Sequence, residues 1–317
     1  MVGPLFEEPG GFDREGLAAR LGALAARNIF IGGSSWKYEG WIEQVYTRER
    51  YLSRGRFSRA LFEAECLREY AETFPTVCGD FAFYQFPSDD FWRKLFARTP
   101  AGFRFAFKAP EQITCRTFPA LPRYGAQAGK PNEMFLDARA AADMFLGPLE
   151  PYRDKTALII FEFGRVGRTY RPGALGEFLD RLDPFLASLP PEFRYAVEIR
   201  NPEFLDKDYF ACLRGRNVAH VYNAWSRMPE LRHQIAIQDS ATADFLVCRA
   251  LLRRGRMYQD AVAAFAPYTE LKDPNPEARD SMRILIGRAK ENKQMLFLFV
   301  NNRLEGNAPL TILSLVE

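Results

Sequence analysis

The clearest pattern in the chain is a series of short apolar runs that charged residues interrupt near their carboxyl ends. In the stretch 194–203, Glu198 and Arg200 interrupt such a run, and Asn201-Pro202 ends it. A short apolar run is typical of a strand that is buried on both faces. Because side chains alternate along a strand, Glu198 and Arg200 lie on the same side of it. Burying two charges is costly, so they indicate either an internal salt bridge or a functional site.

Seven further runs of this kind occur, and amphipathic segments separate most of them. The predicted strands cover residues 28–36, 77–86, 102–110, 156–163, 194–200, 217–222, 244–249 and 295–301. The predicted helices cover residues 57–74, 89–98, 134–149, 174–189, 205–214 and 276–292. Residues 116–132 are rich in Pro, Gly and Arg and are predicted to form a loop.

Strands that alternate with helices predict a parallel sheet and an α/β fold. A closed (β/α)8 barrel of the TIM type, with helices around the parallel strands, accounts best for eight strands. An open doubly wound sheet is the alternative. That fold usually carries a glycine-rich phosphate loop after its first strand, and Gly32-Gly33 alone is a weak match to such a loop.

The amino-terminal residues differ from the rest of the chain. Residues 1–27 are predicted to form an extension, in which Asp13 caps a helix. The helix would carry Leu17, Leu21, Leu24 and Ala25 on one face. Residues 28–317 show no internal repeat and no linker, so they are predicted to form a single barrel domain.

Composition excludes several classes of protein. The 317 residues are 47% hydrophobic and 26% charged, which is ordinary for a globular chain with a large core. The net charge of +3 gives no support to nucleic-acid or membrane-surface binding. The five cysteines are far apart and form no CxxC pair, which favours reduced thiols in a cytoplasmic protein. We find neither a signal peptide nor an apolar run of ~20 residues, so no membrane association is expected.

Polar residues follow most of the predicted strands. They are Lys108, Glu162, Glu198, Arg200, Arg249, Asn301 and Asn302. The carboxyl ends of parallel strands meet at one mouth of a barrel, where the active sites of TIM barrels lie. We therefore expect these side chains to converge on one site, although each ion could also be part of a structural salt bridge.

The residue types at this mouth suggest distinct roles. Glu198, Glu162 and Lys108 are the candidate catalytic residues, because paired carboxylates beside cations suit general acid–base chemistry such as glycoside hydrolysis. Arg200 and Arg249 are candidates for binding an anion, since a guanidinium matches carboxylates and phosphates. Asn301 and Asn302 either bind a ligand or cap the last strand.

Cofactor binding is weakly indicated. The carboxylates, with Asn oxygens, could hold a divalent metal, but no metal ligand set is assigned. The only histidines are His220 and His233, so a histidine-rich zinc cluster is not available. No nucleotide-cofactor motif occurs.

Aromatic and basic residues offer further contacts. Trp36, Tyr38, Trp41 and Tyr84 could form a wall over the mouth and stack on a sugar or a base, or they could pack the first loop onto the barrel. The arginine-rich segments 48–59 and 253–256 could contact phosphates, although a solvated face explains them as well.

Several separate motifs together resemble the DUF72, or YecE-like, family. The matching segments are 31–36 with Trp41 and Tyr46, 70–74, 83–84, 103–110 with 113–114, 196–200, 299–303, 305–306 and 308–309. The resemblance covers about residues 28–315. It implies an irregular TIM-type barrel, and because the family is a domain of unknown function, it implies no reaction.

The chain departs from the family pattern in its second strand, which usually reads Val-Glu-Ile-Asn-Ser-Thr-Phe-Tyr. Here Cys78 replaces the Glu, and Asp80-Phe81-Ala82 replaces the polar run. Cys115 stands where a His often follows the third strand, and Glu162 stands where a Gln is usual. These exchanges suggest a changed substrate or a loss of catalysis.

Three functional hypotheses follow. The leading one is a barrel enzyme that acts on a small polar or anionic ligand, with Glu198 as base or metal ligand and Glu162 as its partner acid. The second is a non-catalytic barrel that binds a ligand or a partner protein. The third is a nucleic-acid-processing barrel that resembles repair endonucleases, which the few histidines and the small net charge disfavour.

Overall fold

The computed structural model of the chain describes residues 11–165 and 172–317. Its strands are β1 (Ile29–Gly33), β2 (Leu52–Ser53), β3 (Arg56–Phe57), β4 (Thr76–Gly79), β5 (Arg104–Lys108), β6 (Thr156–Phe163), β7 (Tyr195–Ile199), β8 (Ala219–Ala224), β9 (Phe245–Ala250) and β10 (Met295–Val300). Eight of these strands close into a barrel in the order β1-β10-β9-β8-β7-β6-β5-β4, and β2 and β3 form a separate two-stranded sheet. All barrel neighbours are parallel. The predicted TIM-type barrel is therefore confirmed.

Helices surround the barrel. They are α1 (Arg14–Ala25), α2 (Arg59–Thr73), α3 (Phe81–Tyr84), α4 (Asp89–Phe96), α5 (Glu111–Thr114), α6 (Ala138–Ala141), α7 (Ala174–Ala187), α8 (Lys207–Gly215), α9 (Leu231–Ala236), α10 (Tyr258–Phe265), α11 (Pro276–Glu291) and α12 (Ala308–Val316). The first of these begins after Asp13, whose carboxylate accepts a hydrogen bond from the Gly16 amide at 2.8 Å. Leu17 and Leu21 of α1 are fully buried, and the helix packs against β1, α2 and α12. The division of the chain at residue 27 stays a prediction.

The barrel strands alternate between two apolar cores. One set of side chains packs outward against the helices, and another set fills the barrel interior. Ala106, Ile160, Ala196 and Val247 belong to the interior set. Side chains two residues apart share a face of a strand, so the next interior positions are those of Lys108, Glu162, Glu198 and Arg249. The pleat of the strands thus brings the predicted charges together in the top layer of the barrel.

The second predicted strand, 77–86, was too long. β4 follows β5 only as far as the pair Gly79 and Phe107. Asp80 then adopts a helical conformation (φ −95°, ψ −4°), and α3 follows instead of strand. The ring of Phe81 is partly buried against Trp36 and Phe107, and this packing favours a turn at the barrel rim over further extension.

The predicted helix over 134–149 was also wrong in its bounds. Leu136 has a left-handed backbone (φ 57°), and α6 begins only after Asp137, which caps it. A π-helical turn (Ala142–Leu146) and a 3-10 segment (Gly147–Tyr152) that contains two prolines follow α6. The predicted loop 116–132 contains a 3-10 segment (Pro122–Gln127) and otherwise lacks regular structure. Five helices were not predicted, namely α3, α5, α9, α10 and α12.

Two observations relate to the predicted cytoplasmic location. All five cysteines are free thiols. Within residues 11–165 and 172–317, none of the helices has the length and apolar character needed to cross a bilayer. The cellular location itself stays a prediction.

Candidate functional site

Six charged side chains form a continuous ion network at the carboxyl ends of the barrel strands. The network consists of Asp80, Lys108, Glu162, Glu198, Arg200 and Arg249. Four of these residues lie on barrel strands, while Asp80 and Arg200 directly follow β4 and β7. The sequence therefore predicted correctly that charges from several strand ends would meet, although it did not include Asp80.

Glu198 lies at the base of the network and has no exposed surface. Its Oε1 lies 2.6 Å from Arg200 Nη2, and its Oε2 accepts a hydrogen bond from Arg249 Nη1. Since the two guanidinium groups cover this carboxylate, a ligand could touch it only if Arg200 or Arg249 moved. In this geometry Glu198 orients the arginines.

Glu162 lies above Glu198, and its side chain is 15% exposed. One of its oxygens, Oε2, is 2.8 Å from Arg249 Nη1 and 3.1 Å from both Lys108 Nζ and Arg200 Nη2. Burial opposes ionisation, but the three cations outweigh it and hold the pKa of Glu162 well below its ordinary value. Glu162 is therefore ionised at neutral pH and has no proton to donate.

Lys108 links Glu162 to Asp80. Its Nζ is 3.6 Å from Asp80 Oδ1, and it also lies 3.6 Å from the centre of the Phe83 ring. Burial alone would lower the pKa of Lys108, but Glu162 and Asp80 raise it, so the amine stays protonated. The same carboxylates and Glu198 also raise the pKa of Arg249, against the effect of burial.

A cavity of about 360 Å³ lies above this network, and we call it the mouth cavity. Its walls are aromatic, and they are formed by Tyr38, Phe83, Tyr84, Trp225 and Tyr258. The guanidinium of Arg200 lies 4.0 Å from the centre of the Trp225 ring, and that of Arg303 lies 4.4 Å from the centre of the Tyr258 ring. The cavity thus combines a charged floor with rings that can cover a small ligand.

The charges around the mouth cavity do not cancel. Arg303 has no carboxylate within ion-pair distance among the residues that the structure describes. With Arg303, four cations face three carboxylates, which leaves one positive charge. Arg200 Nη1 and Ser34 Oγ are also buried, and neither has a hydrogen-bond partner among the residues that the structure describes. These groups offer unpaired donors to a ligand.

Three of the predicted ligand-binding residues other than the arginines line the mouth cavity, namely Tyr38, Tyr84 and Asn301. Trp36 is buried and lines a neighbouring pocket instead. Trp41 is buried too, and its indole donates a hydrogen bond to Asn302 Oδ1 at 3.1 Å. Asn302 Oδ1 also accepts from the Ala308 amide at 2.8 Å.

Trp41 and Asn302 therefore do not belong to the mouth cavity. Their hydrogen bond fastens the first loop to the start of α12, which corresponds to the packing role considered for the aromatic residues. The sequence places both residues next to cavity-lining ones, but it does not show which way each side chain turns.

Sequence reasoning missed several residues of the site, among them Phe83 and Ser34. Arg303 follows Asn301-Asn302 after the last strand, and its position two residues beyond Asn301 was the available signal. Asp80 was hidden inside a strand that was predicted too long. Trp225 directly follows β8 and Tyr258 is the first residue of α10, and no periodic pattern indicates the direction of either side chain.

The geometry gives no support to the divalent metal considered above. Within the described part of the chain, no three His, Cys, Asp or Glu residues are arranged to hold an ion. The cationic groups of Lys108, Arg200 and Arg249 already occupy the space between the carboxylates. His220 is buried beside Tyr209, 3.1 Å from its hydroxyl, and burial lowers the pKa of the imidazole to about 3.

Comparisons with known proteins support the barrel. A family model described as "Protein of unknown function DUF72" matches residues 30–317. The UPF0759 protein YecE of Escherichia coli strain K12 is 26% identical over 182 residues, which are 56% of this chain and 51% of that protein. YecE of strain O157:H7 gives the same values. The chain spans about half the length of these curated relatives.

Two solved structures share the fold. One is a DUF72 family protein from Thermotoga maritima MSB8, with a TM-score of 0.60 and 18% identity over 90% of this chain and 97% of that chain. The other is a DUF72 family protein from Enterococcus faecalis V583, with a TM-score of 0.58 and 16% identity over 91% of this chain and 95% of that chain. At such low identity, the likeness supports the fold alone.

Proposed function

Because the chain belongs to the DUF72 family, whose function is unknown, we propose a function from the chemistry of the mouth cavity. We propose that the cavity binds a small polar ligand that carries an anionic group. The observation that carries this proposal is that two cations line the cavity with unused charge or donors: among the described residues Arg303 has no carboxylate partner, and Arg200 Nη1 is buried without a hydrogen-bond acceptor.

The ion network prepares the cavity for such a ligand. Glu162 and Glu198 hold the guanidinium groups of Arg200 and Arg249 in place, so little side-chain freedom is lost when a ligand binds. Arg303 supplies the excess positive charge, and the aromatic walls exclude water. A ligand with a carboxylate or phosphate group would meet charge-assisted donors in a partly desolvated site.

Carboxylate-assisted catalysis is a second candidate, and one observation favours it. The Asp80 side chain is 36% exposed and, like Glu162, contacts Lys108 Nζ while lining the mouth cavity. Both residues face the space where a ligand would bind, whereas Glu198 does not. The ionised Glu162 suits the role of base or of cation stabiliser better than that of partner acid. In a catalytic function of this kind, Asp80 and Glu162 would be the two carboxylates that face the substrate.

A thermal-shift experiment tests the binding proposal. Wild-type protein would be screened against phosphate, simple carboxylates, sugar phosphates and neutral sugars at low and high salt. A ligand at ~100 times its Kd adds ~2.7 kcal/mol to the free energy of unfolding, which is a shift of a few degrees. We expect anionic compounds to raise the melting temperature and salt to weaken the effect. If only neutral compounds stabilise the protein, the proposal is wrong.

A turnover assay separates ligand binding alone from carboxylate-assisted catalysis. The release of 4-nitrophenol from 4-nitrophenyl phosphate and from 4-nitrophenyl glycosides would be compared in the wild type and in Asp80→Asn. Release that is lost in Asp80→Asn would support catalysis. Binding of the same compounds without release would support a binding protein.

The nucleic-acid hypothesis receives no support from this geometry. The single excess charge lies within a cavity of about 360 Å³ rather than along a groove, and many surface arginines, including Arg253 and Arg256, are paired with carboxylates. Binding of DNA that weakens steeply with salt would favour that hypothesis instead.

A further inference from the structure

A second cavity, of about 300 Å³, opens beside the mouth cavity, and we call it the side pocket. It lies between α2, α3 and α4. Its interior is mainly apolar, and it is lined by Trp36, Leu67, Phe81, Phe91 and Leu95. Of the six residues of the ion network, Asp80 lines this pocket and the other five do not.

The two cavities share a boundary. Ser35, Asp80 and Tyr84 line both of them. The Asp80 carboxylate contacts Lys108 and Arg249 through Oδ1 on the side of the mouth cavity, and part of its side chain remains exposed. One molecule that passes Asp80 could therefore occupy both cavities, and a hydroxyl or N–H group at this point could donate a hydrogen bond to the carboxylate.

The walls of the side pocket suit an aromatic ring. Phe81 packs edge-on against Trp36, with ring centres 5.8 Å apart, and its ring lies 5.0 Å from that of Phe91. Phe91 is 36% exposed, so part of its ring surface is open to a ligand. Edge-to-face and offset arrangements of this kind stabilise an additional ring beyond the effect of its buried area.

The rim of the side pocket is positively charged. Lys94 is paired with Asp90 at 2.5 Å, and Glu63 is paired with Arg59 at 2.9 Å. Lys37 and Arg98 also lie at the rim, and neither has a carboxylate partner among residues 11–165 and 172–317. The entrance therefore attracts a ligand that is anionic as a whole.

From these observations we infer that the ligand is an aromatic anion that spans both cavities. Its ring lies in the side pocket, its carboxylate or phosphate group lies in the mouth cavity near Arg303, and a hydroxyl or N–H group between them donates to Asp80. This inference rests on the proposed function and specifies the class of ligand. The two cavities correspond to the two ends of such a molecule.

Matched pairs of anions test the inference. Calorimetric titrations would compare 3-phenyllactate with lactate, and phenyl phosphate with inorganic phosphate, because each pair differs only by the ring-bearing group. We expect the ring to strengthen binding about tenfold, which is the effect of ~1.4 kcal/mol. Phe91→Ala should remove most of this advantage and leave the ring-free anions unchanged. Leu121→Ala, at another exposed apolar residue, is the control.

The outcomes separate this inference from the proposed function. If both members of each pair bind equally, and Phe91→Ala changes neither, the inference is wrong and the proposed function stands. If none of the four anions binds, both are wrong. If binding depends on the ring but Arg303→Ala does not weaken it, the ligand does not span the two cavities and the inference fails. Phe91→Leu keeps an apolar wall and provides a second variant if Phe91→Ala lowers the melting temperature.

Discussion

At the scale of single residues, the ion network is built on a carboxylate that is fully buried, that of Glu198. Glu198 is enclosed by Arg200 and Arg249, and these arginines in turn hold Glu162. Buried ion pairs of this kind contribute little net stability, but the loss of one partner leaves a buried charge without compensation. The network therefore fixes the direction of the cationic groups at the floor of the mouth cavity.

The variant Glu198→Gln tests this role. It removes one of the two carboxylates that the buried guanidinium groups of Arg200 and Arg249 share, so we expect a loss of about 3 kcal/mol in the free energy of unfolding, measured with urea. The matched control is Glu65→Gln, in an exposed pair with Arg68, where we expect less than about 1 kcal/mol. A loss of similar size in both variants would contradict the structural role of Glu198.

His220 gives the protein a pH dependence that is separate from the site. Burial lowers the pKa of this imidazole to about 3, while the unfolded value is near 6.5. Between these values the unfolded chain binds a proton that the folded chain does not, so stability falls as the pH falls below about 6.5. Relative to that of His220→Leu, the free energy of unfolding of the wild type should fall by about 1.4 kcal/mol for each unit by which the pH is lowered between pH 6 and 4.5.

Urea unfolding at several pH values measures this slope. The control is the exposed His233, which His233→Gln replaces. A constant stability difference between wild type and His220→Leu across this range would show that His220 does not stay neutral in the folded protein.

At the scale of elements, the eight barrel strands were predictable, whereas β2, β3 and the short helices at the barrel rim were not. A short apolar run identifies a strand that is buried on both faces, and charges near the carboxyl end of such a run identify the mouth. Four-residue helices such as α3 and α5 have no periodicity to detect. The direction of Phe81 depends on Trp36 and Phe107, which are distant in sequence, so only the tertiary structure places it.

Gly79 leaves room for the ring of Phe81, the first residue of α3. A Cβ at this position would lie 2.4 Å from the Phe81 ring, so Gly79→Ala must displace this ring from its packed position. We expect a loss of about 1–3 kcal/mol in the free energy of unfolding. The control is Gly287→Ala in α11, where a Cβ would meet no atom within 4 Å, and where we expect a gain of up to about 1 kcal/mol. Two equal effects in urea unfolding would show that Phe81 is not packed on Gly79.

At the scale of the whole molecule, the barrel and the convergence of charges on one mouth followed from the sequence, because both depend on repeated local patterns. The sequence did not separate the residues that line the mouth cavity from their neighbours. Trp41 and Asn302 bind each other beneath the first loop, whereas Tyr38 and Asn301, close by in the chain, line the cavity. The ionisation of Glu162 was also beyond the sequence, since it results from three cations on three different strand ends.

The central claim is that Arg303 attracts a small anion into the mouth cavity. The most direct measurement is a calorimetric titration of wild type, Arg303→Ala and Arg27→Ala with the anion that raises the melting temperature most. Arg27 is an exposed arginine just before β1, at the opposite end of the barrel. Arg303→Ala loses a charge-assisted hydrogen bond of about 1.5–3 kcal/mol, so it should bind the anion at least tenfold more weakly than the wild type. The affinity of Arg27→Ala should equal that of the wild type. Equal affinity in all three proteins would contradict the claim.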